Sequence, residues 1–138
     1  MKIDKYDMLD WIASLNQENL LNKEKLRQAS STLAKRFNQV ETLSTRQRQQ
    51  EVMNILVRQR TTLQLTEKSN RIYLEKLKEL KSLSQRYWFT ADKFFEENKI
   101  TDKASFVSFV NRSIRAENPA HFKAFDMQRE LSKTKPTV

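Results

Sequence analysis

The stretch VMNILVRQRTTLQLTEKSNRIYLEKLKELKSLSQRY, residues 52–87, steps by four and three through Val52, Leu56, Gln59, Leu63, Thr66, Asn70, Tyr73, Leu77, Leu80, Ser84 and Tyr87. Seven of these eleven positions are apolar, and a repeat of 3.5 residues held over five heptads is coiled-coil periodicity rather than the wider stripe of a globular helix. The spacing predicts a helix from about residue 45 to about residue 87, roughly 60 Å long at 1.5 Å per residue. Its polar side carries Glu67, Arg71 and Glu75 at i,i+4 and Lys78 three residues on, each pair worth about 0.2–0.5 kcal/mol. Val57, Leu65 and Ile72 form a second apolar line on nearly the opposite side. One partner helix cannot cover both sides, so two neighbours are expected, one from the same chain and one from another subunit.

The first neighbour is found upstream. Leu26, Ala29, Leu33, Phe37, Val40 and Leu43 step by three or four and predict an amphipathic helix over 23–43, with Asn22 as its N-cap. Thr42-Leu-Ser-Thr45 lies between the two segments and offers hydroxyl caps at Ser44 or Thr45. A reversal there makes an antiparallel helical hairpin, the expected arrangement. Without Gly or Pro, one continuous helix of seventy-odd residues is the alternative. Residues 3–15 read as a third, short amphipathic helix, with Ile3, Tyr6, Leu9, Ile12 and Trp11, set off by the polar NQEN at 16–19.

Composition shifts at Tyr87. Nine of the thirteen aromatics fall within 87–125, and large flat side chains let a short segment close a core. Thr101-Asp102 reads as an N-cap for a helix ending near Ala116. Asn118-Pro119 reads as an N-cap with proline at the first helical position. The expected core of this small helical head is Phe94, Phe106, Phe109, Val110, Ile114, Phe122 and Phe125. The fold expectation is all-α: an N-terminal helix and break (1–22), a coiled-coil rod (23–87), an aromatic head (88–132) and a flexible tail (133–138).

The 138 residues include no Gly and no Cys. Phosphate-cradling loops and dinucleotide fingerprints need glycine and are excluded. Disulfides, thiolate catalysis and the usual zinc clusters need cysteine, and their absence fits a cytoplasmic protein. The N-terminus places Asp4, Asp7 and Asp10 among its apolar residues and is not read as a signal peptide. No apolar run approaches the ~20 residues that span a bilayer.

The net charge of +9 is unevenly distributed. Residues 23–60 hold nine bases against Glu24, Glu41 and Glu51, an excess that permits an acidic partner or a nucleic-acid backbone. Lys35, Arg36, Arg46, Arg48, Arg58 and Arg60 are the candidate anion or phosphate contacts. In the register of the seam, Arg46 and Arg60 flank it on one side, Arg48 flanks the other, and Arg58 points outward. They do not form the single stripe of a helix lying in a DNA groove. They border a seam first and seek an anion second.

Catalysis has little to stand on. His121 is the one histidine, in the first turn of a helix whose dipole disfavours its charged form. Asp4, Asp7 and Asp10 lack the turn and the glutamate of a calcium loop and read as acids at a helix start. Asp92, Glu96 and Glu97 read as a solvated surface. Helices 102–116 and 119–131 invite a helix-turn-helix reading, but the second carries only Lys123 and Arg129 against Asp126 and Glu130, too few bases for a recognition helix. Asn70, buried in the seam, is either a register-setting residue that pairs across a dimer or one of three polar interruptions, with Gln59 and Thr66.

The functional expectation is a non-enzymatic assembly or adaptor protein without cofactor, metal or small-molecule substrate. It self-associates through Val52, Leu56, Leu63, Asn70, Tyr73, Leu77, Leu80 and Tyr87. It holds another protein through the aromatic head or through Val57, Leu65 and Ile72. The alternative is a basic accessory factor that grips nucleic-acid phosphates through residues 23–60 without reading bases. A membrane-surface role is disfavoured by the aspartates beside Trp11.

Overall fold

The computed structural model describes residues 2–133, and among them every regular element is helical. Helix α1 spans Lys5–Gln39, α2 Arg46–Ser84, α3 Ala91–Glu97, α4 Lys103–Glu117 and α5 Pro119–Lys133. The expected tail, 133–138, lies outside the described residues apart from Lys133, which ends α5.

α1 is one helix where a break at NQEN was expected. Its start is a reciprocal cap: Asp4 Oδ1 accepts from the Tyr6 and Asp7 amides, and Asp7 Oδ2 accepts from the Asp4 amide. Polar residues alone do not stop a helix; that takes Gly, Pro or a competing backbone bond. Asn19 instead turns its amide onto the Leu15 carbonyl at 2.7 Å, and Asn22 is a mid-helix surface residue rather than a cap.

The reversal after α1 is made without glycine. A short 3-10 turn, Val40–Thr42, leads to extended Leu43. Side chains cover the free carbonyls: Thr42 Oγ1 donates to Gln39 O, and Gln49 Nε2 donates to Leu43 O at 3.0 Å. Thr45 then caps α2 by accepting from the Arg48 amide at 3.1 Å, as the hydroxyl pattern predicts. α2 ends three residues early. The Gln85 and Arg86 amides take carbonyls three residues back, so the α-helical register is lost and Tyr87 leaves the seam fully exposed.

The described residues divide into two compact units, 2–21 with 70–119 and 22–69 with 120–133. Helices α1 and α2 each contribute to both. In the first unit, Met8, Ile12 and Leu15 of α1 meet Leu77 and Leu80 of α2, Phe95, Ile100, and Phe106 and Val110 of α4. The Trp11 ring lies 5.6 Å from that of Phe106 and 6.3 Å from that of Phe95. Phe94 meets Phe109 edge-on at 5.5 Å. The aromatic segment is therefore not a separate head: its rings from Phe89 to Phe109 complete a core begun by the first three turns of α1.

Three local devices shape this unit. α4 starts on a capping box in which Asp102 Oδ1 accepts from the Ser105 amide and Ser105 Oγ accepts from the Asp102 amide. The Ser105 amide foremost, and the Ser105 side chain after it, hold the Asp102 carboxyl below its ordinary pKa by hydrogen bonding to it. α3 ends with Lys99 at φ 55°, the Lys99 amide on Glu96 O and the Ile100 amide on Phe95 O. That is the helix-ending motif in which glycine ordinarily supplies the left-handed residue. Third, Lys76 is buried and bonds Glu117 at 2.7 Å and Glu79 at 3.4 Å. Burial works to lower its pKa, but the bond to Glu117 and the two carboxylate charges outweigh it and raise the value.

The second unit is a three-helix assembly with a thinner core. Leu33, Val40 and Leu56 are buried, with Phe37, Val52, Met53 and Leu63 packed beside them. α5 lies antiparallel to α2 and is joined to it by polar contacts. Ser69 Oγ meets His121 Nε2 at 2.8 Å, and Gln128 Nε2 donates to Thr62 Oγ1 at 3.1 Å. Ser132 Oγ meets Thr62 Oγ1 at 3.3 Å. Phe122 and Phe125, expected in the head core with Phe106 and Phe109, fall in this unit, where Phe122 is buried and the two rings contact His121 and each other at 4.8–6.2 Å.

Candidate interaction surface

The leucines of the seam form a ridge that the chain itself covers. Leu56, Leu77 and Leu80 are at most 3% exposed within a single chain, Val52, Leu63 and Tyr73 are half-buried, and Tyr87 is outside the helix. In each unit α1 covers this ridge. The second apolar line fares similarly: Leu65 and Ile72 are half-buried, and only Val57 is exposed. In the second unit the extra neighbour is α5 of the same chain, where another subunit was expected.

Asn70 is satisfied without a partner copy, because its Nδ2 donates to the main-chain carbonyl of Asn19 at 3.4 Å. Tyr73, half-buried nearby, has its pKa raised by burial and then by the charge of Glu18.

His121 reads as a structural pin. Ser69 Oγ gives its proton to the Leu65 carbonyl at 3.0 Å, so the ring donates from Nε2 and is not placed to take the serine proton. Burial first, and the Lys68 charge second, lower the histidine pKa. Among the described residues no group of three or more His, Cys, Asp or Glu side chains is gathered to hold a metal. No described helix is long and apolar enough to cross a membrane.

What the second unit offers is charge and a groove. Its described residues hold thirteen Lys and Arg against six acids, leaving the first unit close to neutral with twelve against eleven. The six candidate cations Lys35, Arg36, Arg46, Arg48, Arg58 and Arg60 all fall in it. Arg48 reaches Glu51 only at 3.9 Å, and Arg60 lies over the Phe37 ring at 5.1 Å. Arg36, Arg46 and Arg58 make no ion pair among the described residues. Near the reversal, Val40 and Leu43 face Val52, Ile55 and Leu56 across a cleft of about 240 Å³ with Arg36 on its wall. Ile55 is 46% exposed there.

The expectation from sequence did not single out this groove. A signal existed: apolar pairs on either side of the TLST reversal, Val40 with Leu43 and Val52 with Ile55, are more than the end of a hairpin needs to close. Compared with models of protein families, with curated proteins and with solved structures, the chain matches none.

Proposed function

We propose that the protein is a non-enzymatic helical adaptor that holds an acidic partner protein on its second unit. The observation that supports this reading is the coincidence of arginines that make no ion pair among the described residues with an open aliphatic groove in the unit that carries nearly all the excess charge. Self-association through the 52–87 seam drops out of the reading, since the leucines of that ridge are already covered. A chain without cysteine suits a reducing, cytoplasmic setting.

A second reading is kept because Arg46 and Arg58 meet no acid among the described residues: the same cations grip nucleic-acid phosphates without reading bases. Fluorescence anisotropy separates the two. A labelled acidic peptide, a 20-base-pair DNA duplex and a single-stranded RNA 20-mer are titrated at low and near-physiological salt. Wild type is compared with an Arg46/Arg48/Arg58/Arg60→Glu variant. The adaptor reading expects peptide binding that survives near-physiological salt. Nucleic-acid binding that survives while the peptide is lost, with a log–log salt slope of about −0.9 per neutralised phosphate on the duplex, replaces it with the second reading.

A further inference from the structure

We infer that the groove between the end of α1 and the start of α2 receives the apolar face of an acidic amphipathic helix from a partner protein, an inference that rests on the adaptor reading and locates its site. Three properties of the groove select this occupant. At about 240 Å³ it is smaller than the ~300–1,000 Å³ clefts that enclose small ligands, and it is suited to side chains presented by a larger body. Its apolar wall is aliphatic, made by Val40, Leu43, Val52, Ile55 and Leu56. Bases are held on aromatic platforms and find none here, whereas leucines at helical spacing fit a groove between two helices.

The third property is charge. Arg36 stands on the groove wall with no acid among the described residues. Residues 22–69 carry ten bases against four acids, and Arg48 lies one helical turn before Val52, on the same side of α2. A helix bringing glutamates beside its leucines would meet cations at the rim while its apolar side chains cover Ile55. A cationic helix would be repelled.

The probe is a fluorescein-labelled sixteen-residue peptide with leucines at i, i+3, i+4 and i+7 and glutamates elsewhere. Its control replaces the leucines by serine and keeps the charge. Both are titrated against the full chain and against Ile55→Asp and Arg36→Glu, two exposed substitutions whose helicity is checked by circular dichroism. The Leu/Glu peptide is expected to bind at near-physiological salt, and the Ser/Glu control about tenfold more weakly. Ile55→Asp should weaken the Leu/Glu peptide by about tenfold, the scale of one lost apolar anchor. Arg36→Glu should weaken it severalfold and flatten its salt dependence. Equal binding of the two peptides, or an affinity indifferent to Ile55→Asp, would overturn the groove while the adaptor reading stands. Failure of every acidic peptide to bind removes both. RNA binding abolished by Ile55→Asp would overturn the helical partner in favour of nucleic acid.

Discussion

Ten buried apolar side chains lie in the first unit and four in the second, although the same two long helices serve both. Fully burying one such side chain contributes about 1.5–3 kcal/mol, so the first unit has by far the larger reserve. It also has the aromatic contacts of Trp11, Phe94, Phe95, Phe106 and Phe109. The second unit joins α5 to α2 by hydroxyl, amide and imidazole groups beside the buried Phe122, and such groups exchange one set of hydrogen bonds for another and contribute about 0.5–1.5 kcal/mol each. It also concentrates like charge, which opposes compaction. On the adaptor reading, stability and binding chemistry are thus divided: the near-neutral unit is the anchor, and the basic unit keeps its groove and cations available.

The largest effect that tests this division is core truncation. Phe106→Ala, at a fully buried site, should cost about 3–5 kcal/mol, and Leu56→Ala about 2–3 kcal/mol, both read from urea unfolding. Native-state hydrogen exchange should find the amides of residues 22–39 less protected than those of 8–21, because opening is easier where fewer apolar contacts are lost. A larger loss at Leu56 than at Phe106, or uniform protection along α1, would break the comparison.

The Lys76 cluster sharpens it, because it is the buried charge of the anchoring unit. Glu117→Ala removes the shorter of the two lysine contacts and should cost about 1.5–3 kcal/mol, as for a hydrogen bond between charged groups. Lys76→Met should come out far milder, because it removes the buried charge along with its partner bonds. The raised lysine pKa fixes the sign of the pH effect. Stability from this cluster is fully present below the ordinary lysine value of 10.5, and it is lost as pH rises through the higher native value. Unfolding scans of wild type and Lys76→Met toward pH 11 check this, and parallel alkaline behaviour would count against it.

Local chemistry in the sequence was legible where it was self-contained. Thr45, Asp102 and Pro119 start their helices as their side chains dictate, and the 3.5-residue repeat correctly marks Leu56, Leu77 and Leu80 as hidden. Periodicity tells which side of a helix is covered but not by what, so a ridge buried by α1 of the same chain looks identical to one buried by a second copy. The polar run at 16–19 resembled a break because its composition is that of a loop, yet it lacks the one or two residues that physically end a helix. Phe122 and Phe125 show which side of α5 is covered, but not that α2 lies beside it, because Ser69, His121, Thr62 and Gln128 meet through hydrogen bonds that leave no apolar period. The groove escaped because its walls come from two helices, and each contributes only a few residues already explained as hairpin core.

A chain with no glycine must meet every left-handed position with another residue, and the first unit does so at Lys99. A left-handed conformation costs a residue with a Cβ about 1–2 kcal/mol. Lys99→Gly relieves it but loosens the unfolded chain. The expected result is a net gain of about 1 kcal/mol in urea unfolding, while Asn98→Gly, at φ −103°, should gain nothing. Equal effects at the two sites would deny that Lys99 is strained.

The smallest effect belongs to the second unit and separates its polar seam from the anchor's core. His121 has its pKa lowered below the ordinary 6.5 by burial and by Lys68, so the folded chain holds the ring neutral and the unfolded chain takes up protons more readily. The stability tied to that neutral ring is complete above pH 6.5 and is lost as pH falls from there through the lowered native value. Protonation puts a second cation beside Lys68 and against the rings of Phe122 and Phe125. The consequence is confined to the contact between α5 and α2. Between pH 7.5 and 5, exchange of α5 amides should quicken while those of α4 hold, and His121→Gln, which keeps a donor for Ser69 but cannot charge, should abolish the difference. If α4 quickens equally, the two units open together and the division of labour argued from their cores does not hold.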